Sequence, residues 1–221
     1  MSIQSHQFAG LSGYTVLSHS GNIHSALVLL HGLGADGQDL ISLAPILTKL
    51  LPNTIFLAPN APQPCDMAPY GYQWFSLQDR QEAKIKAGIE VTSPILQAYL
   101  DAILQHYQLP DNKLALLGFS QGTMMSLYAA PRRKSAIAGV VGFSGALFGG
   151  EELTNPNISK PPILLIHGDD DMVVPVSAMP RALEQLETVG FPVKTLLRNG
   201  LGHGIDQEGL QAASQFLLEV L

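Results

Sequence analysis

The chain has 221 residues, of which 46% are hydrophobic and 14% charged, a composition that excludes a disordered chain and predicts a single domain over residues 1–221. Its net charge of -6 is unlike that of nucleic-acid-binding proteins, so we expect no nucleic-acid partner. No apolar run is long enough to span a bilayer, and residues 1–7 lack the basic and apolar parts of a signal peptide, so we expect no stable membrane insertion.

Apolar runs of strand length alternate with helical patterns along the chain. Strands are predicted at Tyr14 to Ser18 (an antiparallel edge), Ser25 to Leu30, Thr54 to Ala58, Leu114 to Leu117, Ile137 to Phe143, Ile163 to Ile166 and Val193 to Leu197. Helices are predicted at Ile41 to Leu51, Ile89 to Tyr107, Thr123 to Ala130, Ala178 to Val189 and Gly209 to Val220. This alternation predicts an α/β fold with a mostly parallel central sheet and helices on both faces.

Two irregular stretches, residues 60–79 and 147–162, interrupt this alternation. The first combines several prolines with aromatic residues, and two interpretations remain open: part of a substrate lip, or a packed surface loop around a buried Trp74. It also holds the single cysteine, Cys65, which cannot form an intrachain disulfide and fits a reducing compartment. We interpret Cys65 as an ordinary thiol because no nucleophile elbow surrounds it.

The strongest motif is Gly-x-Ser-x-Gly at Gly118 to Gly122, with Ser120 at its centre. It follows an apolar strand and precedes a helical pattern, which is the setting of a nucleophile elbow. In such a turn the serine hydroxyl is exposed and aimed at the substrate, and the glycines leave room for the tight backbone. The motif therefore predicts that Ser120 is a catalytic nucleophile.

A glycine-rich loop, His31 to Gly37, follows the strand that ends at Leu30. In serine hydrolases of this architecture, a loop at this position donates one N–H of the oxyanion hole. We therefore predict that the N–H of Leu33, together with the N–H of Gln121 directly after the nucleophile, stabilises the oxyanion.

Acid and base candidates follow the last two predicted strands. Three aspartates, Asp169 to Asp171, end one strand, and spacing alone does not choose among them. Their spacing is unlike that of a calcium loop, so we predict no metal site. His203 lies between glycines after the final strand, where the base of an α/β-hydrolase is expected, and the chain order is nucleophile, acid, base.

The remaining basic and histidine residues are interpreted as structural. His31 and His167 stand at strand ends and are expected to hydrogen-bond loop backbone near the site. Arg132 to Lys134 follow a predicted helix and are expected to form a solvated C-terminal cap. The three histidines that precede the sheet core are expected to be exposed: His6, His19 and His24.

Taken together, these segments resemble the bacterial carboxylesterases of the phospholipase/carboxylesterase family, which is related to acyl-protein thioesterases. The resemblance covers residues 30–203 and depends on five segments: Leu30 to Gly37, Trp74 with Phe75, Gly118 to Gly122, His167 to Pro175, and Gly202 with His203. It implies an α/β-hydrolase fold, cytoplasmic location, no cofactor, and cleavage of short to medium acyl esters, with thioesters or lysophospholipids for some members.

The same resemblance assigns roles to individual residues. The family pattern puts the acid at the second Asp of His-Gly-Asp-x-Asp, which is Asp171, and supports Leu33 and Gln121 as oxyanion donors. Two positions depart from the pattern: Ser76 stands where the family usually has Asp, and Met172 where it often has Pro. Both departures put the shape of the acyl pocket in doubt and leave the triad intact.

We therefore expect a Ser120, His203, Asp171 triad acting on a small acyl ester or thioester. Four residues near the predicted rim are candidates for an apolar acyl groove: Trp74, Phe75, Met172 and Val173. The alternatives are a peptidase or lysophospholipase of the same fold, or a binding protein without activity. An exposed apolar groove would also suit contact between two copies, so a homodimer is a further expectation.

Overall fold

The computed structural model describes residues 3–221, so Met1 and Ser2 of the segment expected to lack a signal peptide lie outside the described residues. Within residues 3–221, eight strands form one sheet and two short strands form a hairpin. The sheet strands are β1 (Ile3–Phe8), β2 (Leu11–Val16), β3 (Ser25–Leu30), β4 (Thr54–Pro59), β7 (Leu114–Phe119), β8 (Gly139–Phe143), β9 (Ile163–Gly168) and β10 (Val193–Arg198). The hairpin strands are β5 (Gln63–Pro64) and β6 (Tyr72–Gln73).

The sheet has the order β1-β2-β4-β3-β7-β8-β9-β10. The six strands from β4 to β10 in that order run parallel, and β1 and β2 add an antiparallel edge. The α-helices are α1 (Gly37–Ile41), α2 (Ala44–Leu47), α3 (Glu82–Tyr107), α4 (Gln121–Ala129), α5 (Ala178–Thr188) and α6 (Gln207–Val220). None of these helices in residues 3–221 is long and apolar enough to cross a bilayer. The predicted mostly parallel architecture is confirmed.

The helices cover both faces of the sheet, as predicted. Alternate strand residues point to opposite faces, so Ala26, Val28 and Leu30 of β3 join one apolar cluster while Leu27 and Leu29 join the other. The first cluster includes α3, α4 and α5, and the second includes α1, α2 and α6. Two-sided burial explains why the central strands are continuous apolar runs.

One predicted helix is not continuous in the structure. The expected helix from Ile41 to Leu51 is two short helices, α1 and α2. Asp36 starts α1 early by accepting a hydrogen bond from the Asp39 N–H. Pro45 stands at the start of α2, where its missing N–H and its ring prevent one continuous helix.

The N-terminal edge also differs from the prediction. β1 pairs with β2 and takes the edge position expected for β2. His6 on β1 is not exposed as expected. Its ring lies 2.7 Å from the Thr15 hydroxyl through Nδ1 and 2.7 Å from the Tyr99 hydroxyl through Nε2. Burial lowers the pKa of His6 to about 4.

The lowered pKa of His6 predicts a pH dependence of stability. An unfolded histidine binds a proton near pH 6.5, whereas folded His6 resists it, so the free energy of unfolding should fall between pH 6.5 and 4. Because His6 is partly exposed and screened by solvent, we expect it to account for a loss of about 1 kcal/mol in the free energy of unfolding between pH 7 and pH 5. Urea unfolding at both pH values should show this loss reduced in His6→Gln and unchanged in the control His19→Gln. Equal losses in all three proteins would contradict the assignment to His6.

The basic segment after α4 is not the solvated cap that the sequence predicts. Arg133 is only 7% exposed and contacts Asp101, Asp111 and Gln97. Arg132 donates to the Tyr128 carbonyl near the end of α4, as a C-terminal cap would. These arginines therefore tie α4 to neighbouring segments.

Candidate active site

Ser120 stands at the sharp turn between β7 and α4. Its backbone has φ 55° and ψ -116°, a conformation that costs an ordinary residue free energy and often marks a functional position. The Ser120 N–H donates to the Phe143 carbonyl at 2.9 Å, which ties the turn to β8. The Ser120 side chain is brought to the wall of a cavity at the carboxyl ends of the strands.

The two glycines of the motif are needed because backbone approaches them closely. A Cβ at Gly122 would collide with the Leu30 carbonyl at the end of β3, and one at Gly118 would collide with the backbone of Gly122 and Thr123. Thr123 braces the turn further, since its hydroxyl lies 2.8 Å from the carbonyl oxygens of both Gly118 and Phe143. The tight packing fixes the direction of the nucleophile candidate.

Asp171 and His203 form a hydrogen-bonded pair. His203 Nδ1 lies 2.8 Å from Asp171 Oδ2. The Asp171 side chain is fully buried, whereas that of His203 keeps some exposure and packs against the Phe119 ring, with 4.8 Å between ring centroids. A neutral imidazole held in this way donates from Nδ1 and leaves Nε2 free to take a proton.

The surroundings of Asp171 keep its carboxylate ionised. Burial raises the pKa of this carboxyl, but hydrogen bonds from His203 and from the backbone N–H groups of Val174 and Val173 outweigh burial and hold the pKa below its usual value. Oδ1 accepts both backbone bonds at 2.9 Å, and Oδ2 is left to face the imidazole. The acid is thereby fixed in orientation as well as in charge.

Neither of the other two aspartates has a hydrogen bond or ion pair with His203 within residues 3–221. Asp169 accepts a hydrogen bond from the Gly200 N–H at 2.6 Å, and Asp170 is exposed. His167 Nε2 lies 2.9 Å from the Val174 carbonyl and 3.4 Å from Asp171 Oδ2, so the predicted contact of His167 with loop backbone is confirmed. The hydrogen bonds thus distinguish Asp171 from the two neighbouring aspartates, which sequence spacing could not do.

The loop after β3 presents a backbone donor beside Ser120. Leu33 lines the same cavity as Ser120, and Gln121 is the first residue of α4. Within residues 3–221, neither the Leu33 N–H nor the Gln121 N–H has a hydrogen-bond acceptor. His31 holds this loop, as predicted, because its Nε2 accepts from the Ala61 N–H at 2.9 Å and its Nδ1 lies 2.7 Å from the Gly32 carbonyl.

An apolar cavity of about 400 Å³ brings most of the predicted groups together. Ser120, His203, Leu33 and Val173 all contribute to its wall. Further side chains complete the apolar lining: Leu77, Ile85, Met124, Phe148 and Val174. The volume is in the range of small-molecule sites in proteins. Within residues 3–221 no hydrogen bond joins Ser120 Oγ to His203; such bonds are often long without substrate.

Three of the four residues predicted for the acyl groove lie elsewhere. Trp74 and Phe75 are fully buried, Met172 is 94% exposed, and none of the three lines the cavity. Trp74 is held there because its Nε1 donates to the His31 carbonyl at 2.9 Å, and the Gln121 side chain bonds the Trp74 N–H and the Phe75 carbonyl. Trp74 therefore braces the loop after β3 instead of lining the groove.

The sequence did not single out several residues that the cavity exposes. Leu77 of the 60–79 stretch lines the cavity, in keeping with the lip interpretation, and the buried Trp74 agrees with the other interpretation of that segment. Arg80 directly follows the stretch and also lines the cavity. Phe148 comes from the second irregular stretch, and Arg181 comes from the first turn of α5. Loop composition was the only signal available for Leu77 and Phe148, and Arg80 and Arg181 carried none.

Ser144 offers an instructive comparison with Ser120. It directly follows the neighbouring strand β8 and also has a positive φ, of 48°. Its hydroxyl is buried without a hydrogen-bond partner in residues 3–221, and the residue is 1% exposed. Ser144 does not line the cavity, so Ser120 is the better-placed nucleophile.

Comparison with known proteins adds independent findings. A sequence model of the family described as Phospholipase/Carboxylesterase matches residues 12–221. The chain is 29% identical over 215 residues to acyl-protein thioesterase 1 of Neurospora crassa, covering 90% of this chain and 88% of that protein. It is 26% identical over 204 residues to esterase YpfH of Escherichia coli, covering 92% and 86%. The crystal structure of esterase PE8 superposes with a TM-score of 0.91 at 41% identity, covering 96% of this chain and 99% of that one.

Proposed function

Because this chain belongs to the phospholipase/carboxylesterase family, with the α/β-hydrolase fold and the hydrolase activity of its relatives, we propose that it cleaves carboxylic esters or thioesters through Ser120, His203 and Asp171. The observation that carries the proposal is the Asp171 to His203 hydrogen bond of 2.8 Å at a cavity whose wall also includes Ser120. A buried carboxylate, a histidine and a strained, accessible serine together match the requirements of nucleophilic catalysis.

In the first half-reaction, Ser120 Oγ attacks the acyl carbonyl carbon while His203 Nε2 takes the hydroxyl proton. Asp171 holds the imidazole in the correct tautomer and stabilises the imidazolium that forms. The carbonyl oxygen becomes an oxyanion that accepts hydrogen bonds from the N–H groups of Leu33 and Gln121. Loss of one such donor typically costs about 3 kcal/mol of transition-state stabilisation.

Collapse of this intermediate breaks the bond to the leaving group. His203 gives its proton to the departing alcohol or thiol, and the acyl group stays on Ser120 as an ester. A water molecule then attacks the acyl-enzyme, with His203 again as the base, and the acid product leaves as Ser120 recovers its proton. No cofactor takes part in either half-reaction as proposed.

The cavity supports short to medium acyl chains. Its lining beside Ser120 is mostly apolar, with Met124, Phe148 and Val174 among the contributors, and its volume of about 400 Å³ suits a small ligand. Burial of each methylene group contributes about 0.8 kcal/mol, so affinity should grow with chain length until the cavity is full.

A substrate panel tests the proposal directly. Initial rates should be measured on 4-nitrophenyl acetate, butyrate, octanoate and palmitate, an acyl thioester, a lysophospholipid and a peptide anilide. We expect the highest kcat/KM on butyrate or octanoate and a decline at palmitate. A fluorophosphonate probe should label one residue, and peptide mapping should place the label on Ser120 and not on Ser144.

Other outcomes would identify the alternatives. Turnover confined to the anilide would indicate a peptidase, and turnover confined to the lysophospholipid would indicate a lysophospholipase. Absence of both labelling and turnover would favour a binding protein without activity. Labelling of Ser144 would contradict the assignment of the nucleophile.

A further inference from the structure

Two arginines at the cavity differ from all others in the described chain. The sequence has five arginines, and three of them pair with carboxylates: Arg132, Arg133 and Arg198. The other two, Arg80 and Arg181, have no side-chain hydrogen bond or ion pair to any residue in 3–221. Both line the cavity that contains Ser120 and His203.

The cavity offers these cations no internal counter-charge. No aspartate or glutamate is among its lining residues, although the chain has 18 acidic residues and a net charge of -6. The carboxylate of Asp171 is buried behind His203. Arg80 and Arg181 are themselves exposed to solvent, so their positive potential is partly screened but reaches an anion that enters the cavity beside them.

Neither arginine lies where a helix dipole would favour a positive charge. Arg181 lies in the first turn of α5, and Arg80 lies just before α3. The N-terminal end of a helix carries partial positive charge, so a cation there is disfavoured. Helix stability therefore does not explain either residue.

We propose that Arg80 and Arg181 form an anion-recognition site, so that the substrate is an ester or thioester bearing a carboxylate or phosphate group in addition to the bond that is cleaved. A guanidinium group binds either oxyanion through two parallel N–H bonds, and a hydrogen bond to a charged group is stronger than a neutral one. This inference rests on the proposed esterase function and adds the charge of its substrate.

Matched substrate pairs test the proposal and locate the charge. For the acyl half, mono-4-nitrophenyl glutarate is compared with 4-nitrophenyl valerate, which has the same number of acyl carbons and no charge. For the alcohol half, 1-butanoylglycerol 3-phosphate is compared with 1-butanoylglycerol. Each kcat/KM is divided by the rate of alkaline hydrolysis of the same compound, which removes differences in intrinsic reactivity.

We expect the anionic member of at least one pair to be preferred by about tenfold or more, since charged hydrogen bonds contribute on that scale. Arg80→Gln and Arg181→Gln should each lower a tenfold preference by about threefold, and the double variant should abolish it. Added salt should weaken the preference in the wild type and leave the double variant unchanged. Arg181→Lys should keep part of it, because the charge remains without the planar fork.

Lys84→Gln is the matched control. It removes one positive charge from the first turn of α3, four residues from Arg80, but Lys84 does not line the cavity. Its preference for the anionic substrate should equal that of the wild type. Thermal unfolding of every variant checks that the fold is kept.

The failures of the two proposals are distinguishable. Turnover of the neutral esters without any preference for the anionic ones would overturn the arginine site and leave the esterase function standing. An anionic preference that survives in the double variant would also overturn it. Lack of turnover of all four compounds and of the thioester, with no fluorophosphonate labelling of Ser120, would overturn the esterase function, and this inference with it.

Discussion

Replacing Ser120 with alanine is expected to lower kcat by about 10⁵-fold to 10⁶-fold while the protein remains folded. Alanine removes the atom that attacks the acyl carbon, and the oxyanion donors alone give only a small residual rate. The measurement is the initial rate on 4-nitrophenyl butyrate, with thermal unfolding to show that the fold persists. Removal of a small, partly exposed hydroxyl should change stability little.

Ser144→Ala is the control for this prediction. It removes a serine hydroxyl one strand away, at a residue that also has a positive φ. That hydroxyl has no hydrogen-bond partner in residues 3–221, so its loss should be neutral or slightly stabilising. A severe loss of activity in Ser144→Ala, with Ser120→Ala near the wild type, would overturn the assignment of the nucleophile.

Replacing Asp171 with asparagine is expected to lower kcat by about 10⁴-fold with the fold intact. The amide can still accept the hydrogen bonds that Oδ1 receives from Val173 and Val174. Its NH₂ group, however, would face His203 Nδ1 and favour the tautomer that carries the proton on Nε2, so the imidazole could no longer act as a base. Because hydroxide can partly replace the base, the residual rate should rise steeply with pH.

The neighbouring aspartates provide matched controls for Asp171→Asn. Asp170 is exposed, so Asp170→Asn should retain the wild-type rate. Asp169→Asn keeps an oxygen for the Gly200 N–H, so its rate should fall much less than that of Asp171→Asn. Near-normal turnover by Asp171→Asn, with a large loss in either control, would transfer the acid role to that neighbour.

Local pattern was sufficient for most of the sheet and for the elements that hold the site. β3 and β9 are buried on both faces, so their apolar runs predicted strands unambiguously. The glycines at 118 and 122 were recognisable because the tight turn around Ser120 itself leaves no room for a Cβ. β1 was missed because most of its residues are exposed at the sheet edge, where an apolar alternation is not needed.

Features that depend on distant contacts were not predictable. Trp74 looked like a groove residue because its position near the rim was inferred from chain order, but its bonds to His31 and Gln121 bury it. Arg133 reads as a surface charge in sequence, and only the fold brings Asp101 and Asp111 to it. Arg181 could not be recognised, because its isolation from carboxylates is a property of the assembled cavity.

The two bonds of the Gln121 side chain have a consequence for altering specificity by loop exchange. They hold the backbone of Trp74 and Phe75 against Gln121, the residue after Ser120. A loop grafted into this region must therefore keep Trp74 and Phe75 in their present positions. Residues 76–81, which follow this pair, contribute Leu77 and Arg80 to the cavity. Residues 76–81 can therefore be exchanged to alter substrate preference without disturbing the turn that holds Ser120.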